Sequence, residues 1–163
     1  MKRLLLDTNI YGELIFDADL DNLKDKIKEG CVIHGFDIVR KELRNTPKES
    51  HQFGKNVRLS LLFLYDDLIK KSYSITEDMN ELSYLYYTTY RTLGGSKSFD
   101  DLKNDFCVVA CATIHQIDIV VSEDNKTMLV ENALKAYDIV NSSRKVKTPE
   151  FIGYLKFKRW LHE

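Results

Sequence analysis

Four acidic residues of the chain lie where an apolar strand-like run ends or where a helix-like run follows one. Asp7 ends the run at the start of LLLDTNIYGEL, Glu42 lies in VRKELR, Asp105 begins an apolar helix-like stretch, and Asp124 follows the apolar residues 117–121. The carboxyl ends of parallel strands meet at one edge of a sheet, where ligands usually bind. The spacing therefore predicts a site made of four carboxylates.

Converging carboxylates favour a bound cation, because their mutual repulsion otherwise raises some of their pKa values sharply. An all-oxygen ligand set without nearby histidine or cysteine selects Mg²⁺ or Mn²⁺ over zinc. Such an ion activates water and orients a phosphate, as phosphodiester hydrolysis requires. We expect Asp7, Asp105 and Asp124 to be direct or water-mediated metal ligands, and Glu42 to be a further ligand or to orient the attacking water.

Supporting groups flank these acids. Thr8 and Ser122 offer hydroxyls to a metal-bound water or a phosphate oxygen. Arg40, Lys41 and Arg44 lie around the second acid and supply local positive charge suited to RNA phosphates. Local charge matters here because 24 basic and 25 acidic residues leave a net charge of -1, which creates no general attraction for nucleic acid.

Each acid taken alone also has a purely structural explanation. Asp7 and Asp105 precede helix-like runs and fit helix N-caps or first turns. Glu42 fits an ordinary surface glutamate among basic neighbours. The last motif reads Ser-Glu-Asp, which leaves Glu123 as an alternative to Asp124, although motif register favours Asp124. Only the set of four points to a site.

The elements that must position these acids alternate along the chain. Strands are predicted over residues 3–6, 31–35, 73–76, 117–121 and 137–140, and helices over residues 10–16, 20–29, 38–44, 57–71, 77–93, 105–115, 127–136 and 150–160. Residues 45–55 and the segment GGSKSFDD are predicted loops. This alternation indicates an α/β fold, with a parallel sheet covered by helices on both faces.

Composition favours one cytoplasmic domain spanning residues 1–163, with a C-terminal helical extension at about 149–163. The apolar run near the start is too short for a signal peptide or a membrane span, so no membrane partner is expected. Cys31, Cys107 and Cys111 form no CxxC pair and are predicted to be buried thiols in a reducing compartment.

The sequence resembles PIN-domain proteins, and in particular the VapC-type ribonuclease toxins and their archaeal and bacterial relatives. The resemblance is carried by LLLDTNIY, VRKEL and NDFCVVACATIHQIDIVVSEDNK in this order, within residues 3–141. It implies a three-layer α/β/α, Rossmann-like domain with a central, mostly parallel sheet. It also implies a Mg²⁺- or Mn²⁺-dependent endoribonuclease acting on single-stranded or structured RNA, frequent homodimerisation, and often an antitoxin protein that plugs the site.

By this resemblance Asp7, Glu42, Asp105 and Asp124 match the family's four acids in order. Thr8 and Ser122 match the small hydroxyl residues beside the first and last acids. Two parts of the chain depart from the family pattern: residues 45–101 are longer than in compact toxins, and the tail after Pro149 is an addition.

Two other functions remain open. Haloacid-dehalogenase-like phosphatases also begin with a strand and an aspartate, but they carry a second aspartate two positions later, where this chain has Asn9. A non-catalytic PIN-like scaffold that binds RNA or a protein is the second alternative. Metal binding and cleavage distinguish the scaffold from the nuclease.

Some further residues have two interpretations each. Tyr84, Tyr86, Tyr87 and Tyr90 could stack on unpaired bases, but the helical stripe formed by Leu82, Leu85, Tyr86 and Leu93 predicts a buried face. We expect His34 and His115 to be structural. A basic cluster fits either phosphate contacts or a solvated face; its members are Lys41, Arg44, Lys48, Lys55 and Arg58.

Overall fold

A five-stranded parallel sheet forms the centre of the fold. The computed structural model describes residues 1–163. The elements, in chain order, are β1 (Lys2–Leu6), α1 (Thr8–Ile15), α2 (Leu20–Gly30), β2 (Cys31–Phe36), α3 (Asp37–Arg44), β3 (His51–Gln52), β4 (Lys55–Asn56), α4 (Val57–Leu68), β5 (Ile69–Tyr73), α5 (Glu77–Thr92), α6 (Phe99–Ile114), β6 (Ile119–Val121), α7 (Glu131–Ser143), β7 (Glu150–Ile152) and α8 (Tyr154–His162). The strand order in the sheet is β5-β2-β1-β6-β7, with β1 in the middle.

The helices pack in two groups. Helix α4 packs against α1 and α3, and α2 packs against α8, whereas α5 packs against α6 and α7. Right-handed crossovers place the helices between β1 and β5 on one face of the sheet and those between β5 and β7 on the other. The predicted three-layer α/β/α architecture is confirmed.

The central strand is apolar because both of its faces are covered by helices. Leu4, Leu5 and Leu6 are at most 1% exposed and belong to a single core cluster of 44 buried residues. A strand buried on both faces gives a continuous apolar run instead of an alternating pattern. The same rule explains the apolar strand β6 beside it.

The prediction for the last part of the sheet was wrong. Residues 137–140 lie in helix α7. The last strand of the five-stranded sheet is β7, at residues where a helix was predicted to begin. Ala133, Ala136, Tyr137 and Val140 recur at helical spacing and form the buried face of α7. The tail therefore starts with a strand that pairs with β6, Val120 opposite Phe151, before helix α8 begins.

Other element bounds also differ from prediction, and α7 begins at Glu131 instead of at residue 127. Helix α4 ends at Leu68, and β5 occupies the following residues instead of residues 73–76; its exposed lysines suit an edge strand. Residues 51–55 of the predicted loop, together with Asn56, form a small hairpin with Phe53 and Gly54 at positive φ. Helix α6 starts at Phe99, because the Ser98 side chain caps it by accepting from Asp101 N–H, so part of the predicted GGSKSFDD loop is helical.

Of the tyrosines and histidines considered above, all but Tyr84 are buried or half-buried. Tyr86 is fully buried, whereas Leu85 and Leu93, which were predicted to share its stripe, are 39% and 36% exposed. The ring of Tyr73 stacks between His34 and His115, at centroid distances of 5.5 and 3.6 Å. Neither histidine belongs to a group of residues that could hold a metal ion.

The three cysteines are buried free thiols, as predicted. None of the helices combines the length and the apolar composition that crossing a bilayer would require.

Candidate metal centre

The acidic residues gather where the chain changes direction across the sheet. From β1 the chain moves to β2 and β5 on one side, and it later returns to β6 and β7 on the other side. Neighbouring strands β1 and β6 run parallel, with Leu6 opposite Val121, so their carboxyl ends lie side by side. Crevices at such a switch point are the usual ligand sites of open α/β sheets.

Three of the four predicted acids come together at this edge. Oxygen atoms of Asp7, Asp105 and Asp124 all lie within 4.8 Å of one another. Asp7 follows β1, Asp124 lies in the turn after β6, and Asp105 projects from the second turn of α6. Three elements that are far apart in the sequence therefore supply one carboxylate each.

Asp7 is a helix N-cap and also lies in the acidic cluster. It is 4% exposed, and its Oδ1 accepts a hydrogen bond of 2.9 Å from the Thr8 N–H at the start of α1, so it is the helix N-cap. Its Oδ2 accepts from Ser122 Oγ at 2.7 Å and from Asn9 Nδ2 at 3.4 Å. Capping orients the carboxylate and leaves it in the cluster.

Thr127 joins the other two carboxylates. Its hydroxyl contacts Asp105 Oδ2 very closely and lies 2.5 Å from Asp124 Oδ2. Asp124 Oδ1 accepts from the N–H groups of Lys126 and Thr127, each at 3.0 Å. A hydroxyl has one proton to donate, so Thr127 donates to one of these two oxygens at a time or shares its proton between them.

Burial and hydrogen bonding shift the pKa values of the three aspartates in different directions. Burial raises the pKa of Asp105 to about 7; the Thr127 hydrogen bond opposes this shift, and the charges of Asp7 and Asp124 add to it. Burial also raises the pKa of Asp7 against its hydrogen bonds from Ser122 and Thr8. Asp124 differs: burial acts to raise its pKa, but the hydrogen bonds from Thr127 and Lys126 outweigh it and lower the pKa.

Glu42 lies on helix α3 and faces the same cluster without joining the three converging oxygens. Its pKa is raised to about 7, first by burial and then by the negative charge of Asp7. The Thr8 hydroxyl opposes that shift, yet neither Glu42 Oε1 nor Thr8 Oγ1 has a hydrogen-bond partner of good geometry, although both atoms are buried.

Two buried oxygens without partners beside three converging carboxylates are costly, about 1 to 3 kcal/mol for each unsatisfied neutral group. A hard divalent cation satisfies such oxygens and removes the repulsion among the carboxylates. The residues present therefore fit the metal that the sequence predicts.

Glu123 is not part of the cluster. Its N–H donates to Asn9 Oδ1 at 3.2 Å, and its Oε1 accepts from the Tyr154 N–H at 2.5 Å, at the start of helix α8. Of the two acids in the Ser-Glu-Asp motif, Asp124 thus contributes to the converging group.

The basic residues around Glu42 do not all remain free. Arg40 forms a two-pronged ion pair with Asp66, with donor–acceptor distances of 3.1 and 3.0 Å, so its charge is balanced locally. Lys41 and Arg44 are exposed and form no salt bridge. Lys55, from the predicted basic cluster, donates to Ile15 O at 2.6 Å.

Two residues of the site were not predicted, Thr127 and Asn9. A partial signal for Thr127 is present in the sequence, since an aspartate side chain often accepts from a backbone N–H two or three residues later. Asn9 occupies the position of the second aspartate in a phosphatase, but here its amide bridges Asp7 and the Glu123 N–H.

Comparison with solved structures identifies the fold class. The structure of VapBC2 from Rickettsia felis bound to a promoter DNA fragment matches with a TM-score of 0.61 and 14% identity, over 93% of this chain and 98% of that chain. DNA-bound VapBC from Salmonella typhimurium matches with a TM-score of 0.59 and 10% identity, over 94% and 99%. FitAcB from Neisseria gonorrhoeae matches with a TM-score of 0.56 and 19% identity, over 91% and 96%.

The chain therefore has the fold of the PIN-domain proteins found in these toxin–antitoxin complexes, as the sequence resemblance implied. The matches cover more of the chain than residues 3–141, which carry the resemblance in the sequence. No protein-family model matches the sequence. No curated protein matches it either.

Proposed function

We propose that this protein is a metal-dependent endoribonuclease that hydrolyses phosphodiester bonds of RNA with Mg²⁺ or Mn²⁺. The observation that carries the proposal is the convergence of Asp7, Asp105 and Asp124 within 4.8 Å at the switch point of the sheet. Helix caps explain single carboxylates at single helices, but they give no reason for three to meet.

The roles of the acids follow from their surroundings. Asp7, Asp105 and Asp124 would hold the ion, with the unpartnered oxygens of Glu42 and Thr8 turned toward the same cluster. When bound, a divalent cation lowers the pKa of a bound water and stabilises charge on the phosphate. Ser122 and Thr127 fix the orientation of the three carboxylates through their hydroxyls.

Glu42 is suited to orient the attacking water and to accept its proton at Oε1. Burial and the charge of Asp7 raise the pKa of Glu42 in the metal-free protein to about 7, so this carboxylate accepts a proton more readily than an ordinary glutamate does. For RNA, we propose that exposed Lys41 and Arg44 on the same helix contact phosphates, whereas Arg40 is held by Asp66. Tyr84, which is 55% exposed, is the best placed of the four tyrosines for stacking on a base.

Cleavage of a mixed-sequence single-stranded RNA by purified protein tests the proposal, with Mn²⁺, Mg²⁺ or EDTA. We expect cleavage only with metal and a loss of at least about a hundredfold in Asp105→Asn, because the substitution removes one anionic ligand. Asp101→Asn is the matched control, since Asp101 lies exposed on the same helix. Cleavage that persists in EDTA, or that Asp105→Asn leaves unchanged, would refute the assignment.

Metal binding without cleavage would instead support the non-catalytic scaffold. That result would be Mn²⁺ binding to the parent protein but not to Asp105→Asn, while RNAs of several structural types remain intact.

We also propose that the protein is the toxin of a toxin–antitoxin pair and forms a homodimer. The support for an antitoxin partner is the nature of the neighbours, which are VapBC and FitAB complexes. The homodimer is what the resemblance of the sequence to PIN-domain proteins implies. Expression alone should arrest growth, and co-expression of a small protein encoded beside it should relieve the arrest. Unimpaired growth despite active nuclease would favour a role in RNA processing or decay.

A further inference from the structure

The C-terminal strand–helix unit, β7 and α8, meets the turn that carries Asp124 through two hydrogen bonds. The Ser122 N–H donates to Ile152 O at 3.0 Å, and the Tyr154 N–H donates to Glu123 Oε1 at 2.5 Å. On its other side the same turn is held by Asn9, whose Oδ1 accepts from the Glu123 N–H. The turn is therefore fastened between the beginning of α1 and the beginning of α8.

Glu123 takes the place of a missing helix cap. The N-cap position of α8 is Gly153, which has no side chain to accept from the first N–H groups of the helix. A Cβ at this glycine would lie 3.1 Å from Glu123 Oε1, so glycine also leaves room for the carboxylate. A carboxylate at a helix N-terminus is favoured by both hydrogen bonding and the helix dipole.

Helix α8 is itself anchored independently of this contact. The Tyr154 hydroxyl donates to Asp17 Oδ2 at 2.7 Å, and Lys158 Nζ forms an ion pair with the same oxygen at 2.7 Å. Phe157 is fully buried in the core. The helix is thus a fixed support, and the exposed turn is the part that it can hold in place.

Resting on the proposed function, we propose that Glu123 is a positioning residue through which β7 and α8 hold Asp124 at the metal centre. The connection is short: Asp124 N–H donates to Ser122 Oγ at 3.0 Å, and Ser122 Oγ donates to Asp7 Oδ2. A shift of the turn by the loss of the Glu123 contact moves Asp124 relative to Asp7. This gives the C-terminal tail a part in metal binding although it supplies no ligand.

The test compares Glu123→Ala with Glu123→Gln, which keeps an oxygen that can accept from the Tyr154 N–H. Tyr154→Phe is the control for the tail, because it loses the hydroxyl contact with Asp17 and keeps the N–H. Glu123 is exposed, so both of its substitutions leave the core intact. Melting temperatures confirm that each variant is folded.

The first readout needs no metal. Amide hydrogen exchange at Lys126 and Thr127, whose N–H groups bond to Asp124 Oδ1, reports the position of Asp124. We expect about tenfold faster exchange in Glu123→Ala and parental rates in the other two variants. Unchanged exchange in Glu123→Ala, or equally fast exchange in Glu123→Gln, overturns the proposal.

The second readout is the Mn²⁺ dissociation constant from a direct titration. Residues that orient metal ligands typically contribute about ten- to a hundredfold in affinity, so Glu123→Ala should bind about tenfold more weakly, with Glu123→Gln near the parent. A parent protein that binds no Mn²⁺ refutes the metal centre, and amide exchange still decides whether Glu123 positions the turn. Parental Mn²⁺ affinity in Glu123→Ala overturns the positioning role.

Discussion

In the absence of metal, the free energy of unfolding of Asp105→Asn should increase relative to that of the parent protein as the pH rises. Burial, with the charges of Asp7 and Asp124, raises the pKa of Asp105 from 3.8 to about 7, against the Thr127 hydrogen bond. The folded protein therefore keeps a proton that the unfolded chain releases near pH 3.8. The retained proton stabilises the folded protein. This stabilisation is complete below pH 3.8, declines as the pH rises toward about 7, and is absent above that.

The size of the effect follows from the width of this window. Each pH unit changes the free energy of unfolding by about 1.4 kcal/mol for one proton. Between pH 5 and the pKa of about 7, the free energy of unfolding of the parent should fall by about 2 to 3 kcal/mol relative to that of Asp105→Asn. The variant carries no titrating group at this position. Besides burial, the charges of Asp7 and Asp124 contribute to the raised pKa of both Glu42 and Asp105, so these groups titrate together and the lower value is expected.

The assay is urea unfolding of both proteins at pH 5 and pH 8 in EDTA. The lowered pKa values of His34 and His115, caused mainly by burial, give a pH dependence of opposite sign, but it cancels in the difference between the two proteins. The exposed-site variant Asp101→Asn should show no such change. A difference between Asp105→Asn and parent that is equal at both pH values, within about 0.5 kcal/mol, would refute the buried carboxylate cluster as described.

Three further substitutions have defined outcomes. Thr127→Val removes the hydroxyl between two carboxylates and should weaken Mn²⁺ binding about tenfold by titration; parental affinity would contradict this role. Tyr86→Phe leaves Asn141 Oδ1 without its 2.8 Å hydrogen bond and should lower the free energy of unfolding by about 1 to 3 kcal/mol in urea, with Tyr84→Phe as an exposed control. Gly35→Ala places a methyl group against the Tyr65 hydroxyl and should cost about 1 to 3 kcal/mol; an unchanged melting temperature would show that the ring moves freely.

The positions of Asp7 and Asp124 could be predicted because each depends on a local pattern and one general rule. Asp7 follows a buried run, Asp124 follows another, and parallel strands bring such ends together whatever the rest of the fold. Glu42 and Asp105 lie on helices, and their orientation depends on how α3 and α6 pack. Their positions in the family motif carried those two predictions.

The last strand and the role of Glu123 could not be predicted in the same way. β7 has three residues, too few for an alternating pattern to be distinguished from the start of a helix. Glu123 and its partner, the Tyr154 N–H, are 31 positions apart and meet only because β7 pairs with β6. Tertiary packing determines such contacts, so local sequence patterns do not predict them.

The order of the strands also determines when an active molecule can exist during synthesis. Strand β1 receives β6 as its neighbour only after more than a hundred further residues, and the hydrogen-bonded pair Ser122 and Asp7 is separated by 115 positions. At about 5 to 20 residues per second, on the order of ten seconds pass between the two. A nascent chain that ends before β6 lacks Asp124 and half of the sheet edge. Under the proposed function, ribosome-bound fragments are harmless to the messenger RNA that encodes them, and ribonuclease activity begins only with nearly complete chains.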